Sequence, residues 1–293
     1  MTAQKLFRSW MFVPGSRQRM IDKALALTTV DAIMLDLEDG VAPAEKDPAR
    51  QLVGQSLARA HQMGPTPARY VRINAIGHQR MVDDLAAVMV AGLEGLLLPK
   101  VESADQIRLV ASLLDEREPR CGLGAGAVRL MVAIESPRGL MQAHAIATAS
   151  PRVIGLMFGA EDFGRELGLP IKREGEASEL LYPRSAIALA AAAANVQAVD
   201  GVWPDLQDSA GLARYATQAR RLGFTGMSLI HPSQIEAINQ VFTPTAAELE
   251  HCRQVIAAFE QAQARGEGSI AFGGQLIDLP IVERARRTLT QAS

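Results

Sequence analysis

Short, nearly unbroken apolar runs recur along the chain, each bounded by polar or turn-forming residues. They fall at 9–13, 32–37, 70–74, 95–99, 130–134, 153–158, 196–202 and 227–230. Runs apolar throughout, rather than alternating, suit parallel strands buried on both faces. Helix-patterned segments separate them, at 17–27, 48–63, 79–90, 104–116, 138–149, 183–194, 206–222 and 233–241. Eight strands alternating with eight helices predict an α/β protein of the (β/α)8 barrel kind. An open doubly wound sheet is the alternative. Its Gly-rich phosphate fingerprint is missing, because VPGSRQR after the first run does not match G-x-G-x-x-G.

Beyond residue 241 the pattern changes. Thr243-Pro244-Thr245 is a break with a capping residue, 246–265 reads as a long polar-faced helix, and 266–268 as a turn. Residues 270–274 are short and Gly-rich, and 278–290 begins with Asp278 at a helix N-cap and Pro280 two residues on. A minimal barrel does not need this tail. The expected organisation is a catalytic barrel over 1–242 and a helical extension over 243–293. That extension serves as a lid over the barrel mouth or an arm onto a neighbouring subunit.

Composition narrows the function. The chain has 293 residues, 48% hydrophobic, which is ample for a core, and a formal net charge of −2 with no basic stripe. Nucleic-acid binding is not expected, and aromatics at 4% supply no stacking platform. Cys121 and Cys252 lie far apart without metal-ligand spacing, which fits a reduced, cytoplasmic setting. The opening MTAQKLFRSWMFVPG lacks the apolar core of a signal peptide. The most apolar helix, 186–194, is too short to span a bilayer, so no membrane association is expected.

The chemistry gathers around 130–162. Glu135 ends one apolar run, and Glu161 and Asp162 follow the next, with a helix-length segment opened by Pro137 between them. This is a βαβ unit with its acids at one end. Adjacent parallel strands are roughly 5 Å apart, so Glu135 and Asp162 can aim at one point. Two carboxylates at one point suit Mg2+, which fills its remaining positions with water and substrate oxygens. The alternative is that these acids cap helices or pair with Arg138 and Arg165.

Barrel enzymes place chemistry at the C-terminal strand ends. Nearly every run here ends in polar groups: Arg17, then Asp36, Glu38 and Asp39, then Arg72 and Asn74, Lys100, Glu135, Glu161 and Asp162, Asp200 and Asp205, and His231. Such one-sided placement predicts a site that handles carboxylates or polyanions. Arg72 and Asn74 share one face of their strand, and Arg72 either forks onto a substrate carboxylate or pairs structurally with acids. Asp36 and Glu38 either order metal-bound waters or pair with Arg72. Lys100 either meets substrate or satisfies Glu102. Arg17 and Lys23 either bind phosphates or are surface charges. His231, before Pro232, shapes a turn.

A set of motifs runs in order from end to end: FVPGSRQRMIDKA (12–24), DLEDGVAPAEK (36–46), VRINA (71–75), LLLPKVES (96–103) and AIESPRGL (133–140). FGAEDF (158–163), the Asp200/Asp208/Gly211 set, IHPSQI (230–235) and GGQLIDLP (273–280) follow. Together they resemble the citrate lyase β-subunit-like (CitE-like) proteins of the HpcH/HpaI aldolase superfamily, relatives of malyl-CoA and citramalyl-CoA lyases. The resemblance implies a (β/α)8 barrel and Mg2+ held by Glu135 and Asp162. It further implies Arg72 on the 2-oxo-acid end of the substrate, Glu38 and Asp39 near the metal waters, and Arg17 and Lys23 on CoA phosphates. Asp278 is then the acid/base, delivered to a neighbouring subunit's site, which implies a homo-oligomer, a trimer or hexamer. The implied reaction cleaves a 3-hydroxyacyl-CoA to acetyl-CoA and a 2-oxo acid. Other readings are a citrate lyase subunit working on a carrier-bound thioester, a CoA-independent 2-oxo-acid aldolase, and a non-catalytic binding protein on the same scaffold.

Overall fold

All eight runs become parallel strands of one closed barrel in the computed structural model, which describes residues 6–62, 67–170 and 177–291. The strands are β1 (Ser9–Pro14), β2 (Ala32–Asp36), β3 (Ala68–Arg72), β4 (Gly95–Leu98), β5 (Arg129–Ile134), β6 (Val153–Phe158), β7 (Gln197–Asp200) and β8 (Gly226–Leu229). Each pairs with its successor, and β8 closes onto β1 through Ser9↔Met227, Trp10↔Ser228 and Met11↔Leu229. β2, β4, β6, β7 and β8 are buried along their whole length, as the continuous apolar runs require.

Period-two alternation sends every second side chain inward. Trp10, Met34, Tyr70, Leu97, Met131, Ala133, Met157 and Val199 belong to one buried cluster, with Phe12 packed on it. Phe7, Trp10 and Tyr70 stack edge to face, with Trp10 centroids 5.3 Å from Phe7 and 4.8 Å from Tyr70. The next inward layer, Phe12, Leu97, Ala133 and Met157, lines a cavity that Arg72 and Glu135 also line.

Several element ends differ from the sequence pattern, each for a local reason. Helix Ser209–Leu222 starts three residues later than expected because Asp208 caps it, accepting from the Gly211 N–H at 2.7 Å. A side chain at 211 would place its Cβ 1.9 Å from Asp208 Oδ2, so this cap requires glycine. The expected helix 138–149 is two short pieces, Pro137–Met141 and Ala143–Ala147. An unexpected helix, Ala160–Leu167, follows β6, so Glu161 and Asp162 stand in its first turn, where the helix dipole favours acids. Met63, the end of the expected helix 48–63, lies outside the described residues; the helix itself is Lys46–Ala60.

Asp200, placed at the mouth by its sequence position, is instead a packing residue. It is fully buried and pairs with equally buried Arg184 at 2.7 Å, whose guanidinium lies 3.9 Å from the Tyr215 ring centroid. The group ties β7 to helices Leu181–Ala193 and Ser209–Leu222.

The chain divides into two compact units, Phe7–Gln240 and a smaller one from Val241 onward. In the smaller unit, helices Ala246–Ala264 and Leu279–Gln291 and a hairpin of β9 (Ile270–Phe272) and β10 (Gln275–Ile277) share a core of Val255, Phe259, Ile277, Val282 and Ala285. Gly273 and Gly274 turn the hairpin with φ of +58° and +78°, conformations for which two glycines are suited. Among the described residues, no helix is long and apolar enough to cross a membrane.

Candidate active site

The C-terminal ends of the strands surround a cavity of about 100 Å³. Arg72 from β3, Glu135 just past β5, and Glu161 and Asp162 from the helix after β6 line it. Its apolar walls come from Phe12, Leu97, Ala133, Met157 and Val202.

Glu135 is buried, and its Oε2 accepts from the Lys100 main-chain N–H at 2.7 Å. Lys100 has φ of +53°, a left-handed conformation that is uncommon and strained for a residue with a side chain. That turn directs the Lys100 N–H at Glu135, while its Nζ reaches Glu38, and Asp39 at 2.9 Å. Lys100 therefore satisfies Glu38 and Asp39, not Glu102, whose Oε1 accepts from Ser136 Oγ at 2.8 Å. Nor does Glu135 pair with Arg138, which lies 3.8 Å from Glu102. Among the described residues, no group donates a hydrogen bond to Glu135 Oε1.

Arg72 clamps Asp36 with both arms of its fork, Nε at 2.7 Å and Nη2 at 2.6 Å. Its third nitrogen, Nη1, stands 3.3 Å from Glu38, and Phe12 lies under the guanidinium at 4.8 Å. Burial works against the charge, but the bonds and charges of Asp36, Glu38 and Glu135 outweigh it and hold Arg72 firmly protonated. Asp36 also accepts from the Glu38 N–H at 2.9 Å and the Gly40 N–H at 2.8 Å. Asp36 and Glu38 thus both pair with Arg72.

Lys46 and Asp84, which the sequence reading did not single out, hold this loop together with Asn74. Lys46 Nζ, buried, donates to the carbonyls of Leu37 and Glu38 at 2.8 Å each and to Asn74 Oδ1 at 2.9 Å. Burial lowers its pKa, against the raising charges of Asp36 and Glu38. Asn74 in turn donates to Asp84 at 2.6 Å, so it faces this scaffold and not the cavity that Arg72 enters. A lysine closing the acid-rich DLED motif was the available signal.

Arg17 and Lys23 are exposed on the outer face of the first helix, Gln18–Leu25 and its cap; Arg17 stands 3.4 Å from Glu45. Neither lines the cavity. His231 accepts from the Ser233 N–H at 3.2 Å and shapes the turn after β8. Asp278 directly follows β10 in the smaller unit, half-buried, with its carbonyl accepting from Ile281 and Val282 at the start of helix Leu279–Gln291.

The donor set fits a hard divalent cation. Among the described residues no cluster of three or more His, Cys, Asp or Glu is placed to hold a metal. Glu135 and Asp162, lining one cavity, form the kind of carboxylate pair that Mg2+ takes beside water and substrate. Asp162 also bonds Arg165 at 2.5 Å, so the expected side-chain pairing coexists with its place in the cavity.

A profile described as HpcH/HpaI aldolase/citrate lyase matches residues 8–232. The chain belongs to the HpcH/HpaI aldolase/citrate lyase family. It is a lyase. Citrate lyase subunit beta of Haemophilus influenzae is 40% identical over 288 residues, covering 98% of this chain and 97% of that one. A (3S)-malyl-CoA thioesterase of Cereibacter sphaeroides is 36% identical over 286 residues, covering 98% and 94%. Protein CitE from Mycobacterium tuberculosis, solved with magnesium, acetoacetate and coenzyme A, superposes with a TM-score of 0.78 at 33% identity, covering 100% of this chain and 99% of that one.

In this HpcH/HpaI member, the AIESPRGL motif resolves into separate physical tasks. Glu135 lines the cavity, Ser136 caps the next helix through the Gly139 N–H at 3.0 Å, and Pro137 occupies the first turn. In FGAEDF, Gly159 packs against Glu135: a Cβ there would stand 2.2 Å from Glu135 Cγ and 2.6 Å from Oε1. Gly159→Ala therefore displaces a carboxylate it does not replace. We expect Mg2+ affinity to fall about 10- to 100-fold, the range for losing a group that orients a ligand. Titration calorimetry checks it; wild-type affinity would show that Glu135 does not hold the ion.

Burial pushes the Glu135 carboxyl up to about 7; Arg72 opposes this, while Glu38 and Asp162 add to it. A cation held by Glu135 would take its ionised form, so below about pH 7 such binding would release that proton. Mg2+ affinity should rise about tenfold per pH unit up to this value and level off above it. Affinity constant between about pH 5.5 and 8 would contradict this.

Proposed function

We propose that this protein is a Mg2+-dependent carbon–carbon lyase that cleaves a 3-hydroxyacyl-CoA thioester to acetyl-CoA and a 2-oxo acid. One observation carries the proposal: Glu135, Asp162 and Arg72, from three separate elements, line one cavity at the barrel mouth. The likeness to CitE solved with magnesium and coenzyme A supports the choice of cofactor and thioester. Glu135 and Asp162 would hold the ion. When bound, Mg2+ supplies a Lewis acid beside the oxygen that gains charge.

The chain's own residues have distinct tasks in this reading. Arg72 presents fixed positive charge to the acid end of the substrate, held in place by Asp36. The apolar wall excludes water around the reacting bond. The bond between the hydroxyl-bearing carbon and the carbon next to the thioester breaks. Its electron pair stays with the thioester fragment, and the hydroxyl loses its proton as it becomes the new carbonyl. The carbon next to the thioester then takes a proton, which we assign to Asp278 of a neighbouring subunit, and the proton released by the hydroxyl restores that carboxyl. Mixing inactive Asp278→Asn with inactive Glu135→Gln protein should then restore activity in mixed oligomers. A monomer by sedimentation, or no restoration, would remove Asp278 from this role.

The test of the reaction is acetyl-CoA release from malyl-, citramalyl- and citryl-CoA, each with Mg2+ and with chelator. Mg2+-dependent release from one of them is expected; release from none would overturn the proposal. The 40% identity to a citrate lyase subunit favours a second reading, action on a carrier-bound thioester. Cleavage that requires an acyl-carrier partner would select it.

A further inference from the structure

We infer that Lys100 is a positioning residue of the acid site: its ammonium holds the Glu38 carboxylate off the one Arg72 nitrogen that Asp36 leaves to the substrate. The inference rests on the lyase reading above, in which Arg72 meets the acid end of the substrate, and adds what keeps Arg72 available.

The backbone gives the first reason. Lys100 has φ of +53°, a conformation that glycine adopts without steric cost and a lysine does not. Glycine at this position would present the same main-chain N–H to Glu135 Oε2, which Lys100 meets at 2.7 Å. A strained lysine where glycine would serve the backbone points to a task for the side chain. The chain leaves β4 at Leu98 and is buried again at Val101. Between them Lys100 extends its amine to the loop after β2, where Nζ bonds Glu38 Oε1, and Asp39 Oδ2 at 2.9 Å.

The division of Glu38 gives the second reason. Its carboxylate is buried and shared between two cations: Oε1 accepts from Lys100, and Oε2 stands 3.3 Å from Arg72 Nη1. Arg72 Nε and Nη2 are committed to Asp36 at 2.7 and 2.6 Å. Nη1 is therefore the nitrogen left for a substrate carboxylate, and Glu38 is the group that competes for it. At 3.3 Å that contact is longer than the roughly 2.7–2.9 Å of a strong charge-assisted bond, so Glu38 is held back. Lys46 cannot take over from Lys100. Its Nζ donates to the Leu37 and Glu38 carbonyls and to Asn74, not to the Glu38 carboxylate. Without the Lys100 charge, this buried carboxylate keeps Arg72 as its one cationic partner among the described residues. It then closes on Nη1, because a buried charge left unpaired is costly. The substrate acid must displace it.

The test is titration calorimetry on the full chain, with Mg2+ alone and then with pyruvate and oxaloacetate in saturating Mg2+. Lys100→Gly keeps the turn and the N–H on Glu135, so Mg2+ should bind within about threefold of wild type. Both acids should bind at least about tenfold more weakly, the scale of losing a hydrogen bond to a charged group. Adding Glu38→Gln to Lys100→Gly removes the competing charge and should return both acids to within about threefold of wild type. A lysine that only supports the fold would not be rescued by removing a second charged group. Lys100→Met replaces Lys100→Gly in the acid comparisons should the glycine variant fail to fold. Unchanged acid binding in the single variant, or equally weak binding in the double variant, overturns the inference and leaves the lyase reading standing. So does a loss of Mg2+ affinity as large as the loss of acid affinity. No Mg2+-dependent binding of either acid to the wild type overturns the lyase reading, and the inference with it.

Discussion

Glu135→Gln should bind Mg2+ more than about 100-fold more weakly than the wild type, since losing a direct ligand exceeds the 10- to 100-fold typical of losing a group behind one. It should release no acetyl-CoA from any thioester and still fold. The substitution is close to isosteric, and an amide oxygen can still accept from the Lys100 N–H that Glu135 meets at 2.7 Å. The cavity already favours the uncharged form, because burial pushes this carboxyl up to about 7. Glutamine imitates that form permanently. Metal-free Glu135→Gln should therefore melt at or above the wild-type temperature, while activity is lost. That separation distinguishes a ligand from a structural acid. If Mg2+ affinity is unchanged, the carboxylate pair is not the cation site. Asp162→Asn should move the same way.

Arg72→Lys should lower kcat/KM by about 100- to 1,000-fold, the cost of removing one well-placed donor from developing charge. The charge is kept, so the loss measures geometry. A lysine cannot form the two-armed clamp on Asp36 at 2.6 and 2.7 Å, so its ammonium wanders where the guanidinium is fixed. Asp36 keeps two main-chain donors, from Glu38 and Gly40, which spares the fold. Arg72→Ala should be worse in stability as well, by about 3–5 kcal/mol, because it strands a buried carboxylate. A change in kcat/KM below about threefold for Arg72→Lys would place Arg72 in the scaffold alone.

The barrel was legible because most of its strands are apolar on both faces and polar residues stand at or just past nearly every C-terminal strand end. The period-two logic that put Arg72 inward also held. It failed for Asn74, because β3 ends at Arg72 and the chain beyond it turns toward Asp84 and Lys46. Asp200 shows the converse: a charge at the correct strand end that pairs with Arg184, 16 positions back, inside the packing. Its partner could not be named from local spacing. The helix Ala160–Leu167 was hidden because GAED after a strand reads as a polar turn, with no apolar stripe long enough to signal a helix. Lys100 is the clearest limit. Nothing in PKVES announces a left-handed residue whose N–H meets one acid while its amine meets two others.

The measurement that tests the account most directly is the position of a bound ion. Mn2+ takes the same hard oxygen ligands as Mg2+ and scatters anomalously. In crystals grown with Mn2+, the account predicts one anomalous peak within coordination distance of both Glu135 and Asp162, facing Arg72 across the cavity. A peak elsewhere, or none at saturating Mn2+, would contradict it.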